Sequence, residues 1–152
     1  MVPSEFFSVL GTILGGLIGY LSARLLWQTQ MKQQRRNLAR AFLLEVRQLK
    51  RMLQSYSNAF ESLGDKTLIE APIYGRDGLY YSTQKEICAF SPDLAENLYT
   101  FYMSLMEAER ARQVKKDNIF FKFHAEAVRV AIVKANKSVP NLERLLAKEA
   151  GE

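Results

Sequence analysis

Cys88 and His124, the single cysteine and the single histidine of this 152-residue sequence, are its two most reactive side chains. A thiol and an imidazole make a nucleophile when the fold brings them together. Here 36 positions and separate elements divide them, so the expectation is a small buried cysteine and a helix histidine. Carboxylates recur as Asp93/Glu96 and as Glu107/Glu109, the latter beside Arg110 and Arg112. At that spacing they describe solvated helix faces rather than a general acid and base. Tyr74, Tyr80, Tyr81, Phe90, Tyr99, Phe101 and Tyr102 have rings that can stack on bases, but they are expected to fill a small core. Tyr74, Arg76 and Asp77 fall at a turn tip, where loops held by a scaffold carry recognition. The sequence has no phosphate-cradling glycine loop, no G-x-S-x-G, no H-E-x-x-H and no cluster with metal-ligand spacing. The expectation is a non-enzymatic protein with no cofactor and no metal.

The elements that position these residues begin with an apolar run. From Phe6 to Ala23 lie eighteen uncharged residues. As a helix they extend about 27 Å, the thickness of a bilayer's hydrocarbon layer. Arg24 and Trp27 follow, residue types suited to the membrane interface. Glu5, the lack of Lys or Arg ahead of the run, and Leu21 two positions before Ala23 argue against a cleavable signal peptide.

The net charge of +5 is unevenly spread: between Arg24 and Arg51 eight basic residues face one acid, Glu45, a local +7, and the rest of the chain sums to −2. Lys32, Arg35, Arg36 and Arg40 all follow the apolar run, which predicts an N-terminus outside and the bulk of the chain in the cytoplasm, at the inner membrane. Arg24, Trp27, Lys32, Arg35 and Arg36 are the expected membrane-interface residues, the cations facing anionic headgroups.

Within the run Gly11, Gly15 and Gly19 recur every four residues and Ala23 continues their stripe, with Ser8, Thr12 and Gly16 alongside. A face of small residues lets a second helix approach closely, the usual way helices pack in lipid. The expected partners are the lipid bilayer and either further copies of the chain or a larger membrane complex.

No Gly or Pro falls between Trp27 and Gly64, so the helix is expected to leave the membrane unbroken. Phe42, Val46, Leu49, Leu53, Tyr56, Phe60 and Leu63 alternate steps of four and three, a heptad seam. It is expected to pack on later helices of the same chain, a coiled coil between chains being the alternative. Pro72, Gly75 and Asp77-Gly78 predict a short loop or hairpin near 65–83. Thr83 and Glu86 have capping-box spacing, which predicts a short helix starting near Gln84, and Ser91-Pro92-Asp93 marks a second helix start. The helix after Pro92 carries Leu94, Leu98, Phe101, Leu105 and Ala108 in a second seam. A third runs from about Asn118 to Lys137, with Ser138 and Pro140 separating it from a short terminal helix.

Residues 37–55 and 70–109 resemble a loose group of small bacterial and phage membrane-anchored proteins of unknown function. The likeness lies in Leu44, Glu45 and Val46, then Tyr74, Ile87, Phe90, Pro92, Leu94, Ala95, Phe101 and Tyr102. It implies the same order of membrane helix, cytoplasmic helix, extended stretch and second helix, and supplies no catalytic residue.

The expected fold is mainly α: a transmembrane anchor over 1–27, then a cytoplasmic helical domain over 28–152. There the continued long helix packs with two or three others as a small antiparallel bundle. The expected role is a scaffold or accessory subunit of a membrane assembly, associating through the glycine stripe and the heptad seam. A membrane-perturbing or regulatory phage-related effector, holin-like or toxin-like, is the alternative. A membrane-tethered nucleic-acid binder, resting on the +7 segment, comes third.

Overall fold

The structure, a computed structural model, describes residues 4–63, 72–75, 78–113 and 121–152, with the side chains of 4–10, 63 and 121–124 outside the description. It is mainly helical, with no strand among the described residues. Helix α1, Ser4–Leu63, is continuous over 60 residues, about 90 Å. The helix expected to continue past Trp27 does so. Residues 11–30 are exposed throughout, and the first buried position among the described side chains is Ala39. The N-terminal half of α1 is therefore a stalk, and the C-terminal half is one wall of a bundle.

The seam supplies that wall. Phe42, Val46, Leu53 and Phe60 are buried, and Leu49 and Tyr56 pack against the same core half-buried. These residues are covered by their own chain, so the seam does not present a surface for a coiled coil between chains. Leu63 is the one seam position whose side chain lies outside the description.

Helix α2, Leu79–Ser82, is a single turn where a loop or hairpin was expected, whereas helix α3, Gln84–Ile87, is the short helix expected near Gln84; positions 65–71, 76 and 77 of the expected loop lie outside the described residues. The glycine turn is retained at Gly78, whose N–H donates to the Gly75 carbonyl at 3.2 Å. The tyrosines after it turn helically because they dock on α1 and α4, which a hairpin's two-residue alternation would not permit. Thr83 does not close the capping box: its hydroxyl donates back to the Leu79 carbonyl at 2.7 Å and stitches α2 to α3.

Helix α4, Pro92–Arg112, starts where the sequence requires. Ser91 Oγ accepts from the Leu94 N–H, Pro92 stands at the first position, and Asp93 favours the dipole. Leu94, Leu98, Phe101, Leu105 and Ala108 form its buried face.

Helix α5, Phe121–Ala150, passes straight through Ser138 and Pro140, so the expected break and separate terminal helix do not occur. Pro140 removes one backbone bond, yet its ring lies on the exposed face while Ala135, Val139, Leu142 and Leu146 are buried. Their burial outweighs a penalty of about 3 kcal/mol for an interior proline. The real stop is Gly151 at φ 80°, with its N–H bonded to the Lys148 carbonyl and the Glu152 N–H to the Ala147 carbonyl.

Helix α5 is central and packs along both α1 and α4. It runs antiparallel to α1, since Lys50 pairs with Glu143 at 2.8 Å and Arg35 with Glu149 at 2.6 Å. It is also antiparallel to α4, with Asn141 bonded to Asn97 near one end and Glu107 near Ala131 toward the other. Helix α4 consequently runs parallel to α1, which corrects a simple up-and-down bundle. The described residues 72–75 and 78–91 form a strap bonded to both parallel helices, through Leu79 to Glu45 on α1 and through Ile73 to Glu109 on α4.

Candidate functional site

Three features could support function: the core of the strap, the open end of the bundle, and the stalk. The strap is fixed by two carboxylates, one from each parallel helix. Glu45 on α1 accepts the Tyr102 hydroxyl at 2.6 Å on one oxygen. Its other oxygen accepts the Leu79 N–H at 3.1 Å and the Tyr74 hydroxyl at 3.4 Å. The Tyr74 oxygen in turn accepts the Tyr80 N–H at 3.2 Å.

Around this network Tyr80 stacks on Tyr102 with centroids 4.7 Å apart, and Phe42 packs on Tyr102 at 5.9 Å. Burial, reinforced by the Glu45 charge, pushes the hydroxyls of Tyr102 and Tyr74 well above the usual phenol range. At neutral pH these phenols are donors that hold a carboxylate.

At the other end of the strap Glu109 on α4 is only 9% exposed. It accepts the Ile73 N–H at 2.8 Å, Arg112 Nε at 3.0 Å and Gln113 Nε2 at 2.8 Å. Burial opposes its charge, but the bonds from Arg112, the Ile73 amide and Gln113 prevail and hold the carboxyl down to about 2. The solvated face expected for Glu107/Glu109 is thus half right: Glu107 is exposed and Glu109 is an interior anchor.

Tyr74, expected as a recognition side chain, is buried in the strap core. Arg76 and Asp77 lie outside the described residues. Of the aromatic set, Tyr80, Phe90, Phe101 and Tyr102 are buried as expected, while Tyr81 and Tyr99 are exposed. Cys88, expected buried, is exposed. The His124 side chain lies outside the description, so the Cys–His pair has no geometry here. Among the described residues no group of three His, Cys, Asp or Glu could hold a metal ion.

At the far end of the bundle a groove of about 610 Å³ runs between α1 and α5, lined by Phe60, Val130 and Val133 with Glu61, Arg129 and Lys137 at its rim. Its charges are of both signs.

The stalk is the third feature. Ile13, Leu14, Leu17, Ile18, Leu21, Leu25, Leu26 and Trp27 are all exposed, Trp27 by 62%. A Cβ added at Gly11, Gly15 or Gly19 would meet nothing within 4 Å, and Ala23 and Arg24 are exposed as well. Among the described residues no helix is long and apolar enough to cross a membrane. The expected span, 6–23, begins among residues whose side chains lie outside the description.

Of the interface residues, Lys32 is exposed, whereas Arg35 turns to the bundle and pairs with Glu149 at 2.6 Å. Arg36 lies beside Gly151 at the end of α5. Arg35 is therefore tied to the bundle, because α5 reaches back to its level.

No family model, curated protein or solved structure matches this chain.

Proposed function

We propose that the chain is a non-enzymatic, single-pass membrane-anchored helical protein, with its N-terminus outside and its bundle in the cytoplasm, acting as a scaffold or accessory subunit of a membrane assembly. The observation that carries this reading is the stalk: large apolar side chains over residues 13–27 stand exposed on a helix that nothing among the described residues covers. In water an apolar surface of that extent demands a partner, and lipid is the partner that covers a whole helix circumference. The uncharged run from Phe6, the Trp27 position and the one-sided cations support the same reading.

Association falls to the glycine face, since the heptad seam is consumed inside the bundle. Gentle detergent extraction followed by sizing and identification of co-purifying chains tests the role. Gly15→Leu should shrink the assembly while leaving the bundle folded, because among the described residues nothing lies within 4 Å of a Cβ at that position. An unchanged assembly would reduce the stripe to a plain anchor.

A further inference from the structure

Helix α5 has more cations on its outward side than its own acids neutralise. Its three described carboxylates each meet a cation already: Glu126 with Arg129 at 2.8 Å, Glu143 with Lys50 at 2.8 Å, and Glu149 with Arg35 at 2.6 Å. Lys134, Lys137, Arg144 and Lys148 are all exposed, and among the described residues none of them pairs with a carboxylate. Arg144 donates to the Asn141 side chain at 2.8 Å, and Asn141 donates to Asn97 on α4 at 2.9 Å.

With Asn141 the four cations follow steps of three and four residues. At the ideal helical spacing they share an arc of about 80° over a rise of about 21 Å. Val130 falls in the same arc at 56% exposure, and with Val133 and Phe60 it lines the groove between α1 and α5. Lys137 lines that groove too, so the stripe and the groove are continuous.

The neighbours decide which side of the stripe is open to an anion. On the α4 side Asp93 accepts from Asn97 at 3.2 Å, and Glu107 lines a hollow with Lys134. On the α1 side the nearest charges toward Lys148 are Lys50, taken by Glu143, and Arg47, 3.9 Å from Glu152. At the Val130 end Glu61 and Glu126 line the groove, so the surface is cationic at one end and apolar with an acidic rim at the other. A nucleic-acid strand, evenly charged along its length, would be repelled at that rim. A lipid surface would reach only the Lys148 end of a helix that runs antiparallel to the anchored α1.

We propose that an acidic amphipathic helix of a partner protein lies along α5 on its α1 side. Its carboxylates, repeating every three or four residues, meet Lys137, Arg144 and Lys148, and its apolar end fills the groove at Phe60, Val130 and Val133. This gives the chemistry of the partner that the scaffold reading calls for, and it rests on that half of the reading.

The test uses the full chain with Cys88→Ser in mild detergent. The probe is a fluorescent helical peptide of about four turns, with glutamates along one face and leucines at one end. A peptide of the same composition, its glutamates spread around the helix, is the comparison. The first should bind about tenfold more tightly, and Lys137→Glu with Arg144→Glu should weaken it about tenfold, while Lys85→Glu on α3 leaves it unchanged. With Val130→Cys added, an oxidant should join the chain to a cysteine at the leucine end of the peptide and not to one at the other end.

Equal binding of the two peptides, indifference to the paired reversal, or cross-linking at the acidic end would each overturn the proposal. Displacement of the peptide by an equal concentration of oligothymidylate would overturn it in favour of a nucleic acid. A Val130→Cys homodimer formed without peptide would overturn it in favour of a second copy. Carbonate extraction of the membranes separates this site from the anchor. A chain that resists carbonate yet fails to bind the peptide overturns the helix site and leaves the anchor. A chain that binds the peptide but comes off in carbonate supports the site and overturns the anchor.

Discussion

Glu109→Gln tests whether the strap is held by charge. The carboxylate takes the Ile73 amide, two nitrogens of Arg112 and Gln113, at a site only 9% exposed. A glutamine keeps the shape but loses the charge, and its NH2 faces donors, so the bonds from Arg112 lose their charge assistance. Hydrogen bonds to charged groups contribute about 1.5–3 kcal/mol, so a loss of about 2 kcal/mol is expected at pH 7.

The pH dependence gives an independent check. Glu109 keeps its charge down to about 2 in the folded protein, against 4.5 as the ordinary value. A depressed carboxyl stabilises the fold above its unfolded value and loses that contribution as pH falls toward the folded one. More than half of the contribution should be gone by about pH 3. Urea unfolding of the full chain in mild detergent, followed by near-ultraviolet circular dichroism of the bundle tyrosines, measures both. Trp27 stands on the stalk and should not report the transition. The wild-type advantage should be large at pH 7 and shrink at pH 3. An equal difference at both pH values, or none, would refute the reasoning.

Tyr102→Phe removes the 2.6 Å bond to Glu45 and should cost about 1.5–3 kcal/mol in the same unfolding assay, with protection of the Leu79 amide falling in hydrogen exchange. Gly78→Ala drives a methyl group into the Tyr74 ring and should destabilise by about 1–3 kcal/mol, seen as a lower unfolding midpoint. Pro140→Ala restores a backbone donor on an exposed helix face and should raise the midpoint by about 1 kcal/mol or more, since the helix already runs through that position. Phe42→Ala, at the junction of α1, α4 and the strap, should cost about 3–5 kcal/mol.

Helix starts and buried faces were legible because they follow from local patterning: Ser91-Pro92-Asp93 opens α4, and the four-three steps of both seams mark the buried sides. Pro140 misled because local propensity was overruled by burial of Val139, Leu142 and Leu146 on the opposite face. The strap anchors were missed because each depends on partners distant in sequence: Glu45 meets Leu79 and Tyr102, and Glu109 meets Ile73. Faint signals existed. Glu45 is the lone acid among eight basic residues, and Glu109 has Arg112 and Gln113 one turn on. The exposure of Cys88 had no sequence signal, since it follows from the way α3 ends at Ile87.

The central claim is an upright anchor with the bundle on the cytoplasmic side, and the exposed native Cys88 reports on it directly. A membrane-impermeant maleimide is applied to sealed and to opened cells, and labelling is read on the chain recovered from carbonate-washed membranes. The account predicts a chain that stays with the membranes and labels at Cys88 only after opening. Labelling in sealed cells would contradict the orientation, and recovery of the chain in the carbonate wash would contradict the anchor itself.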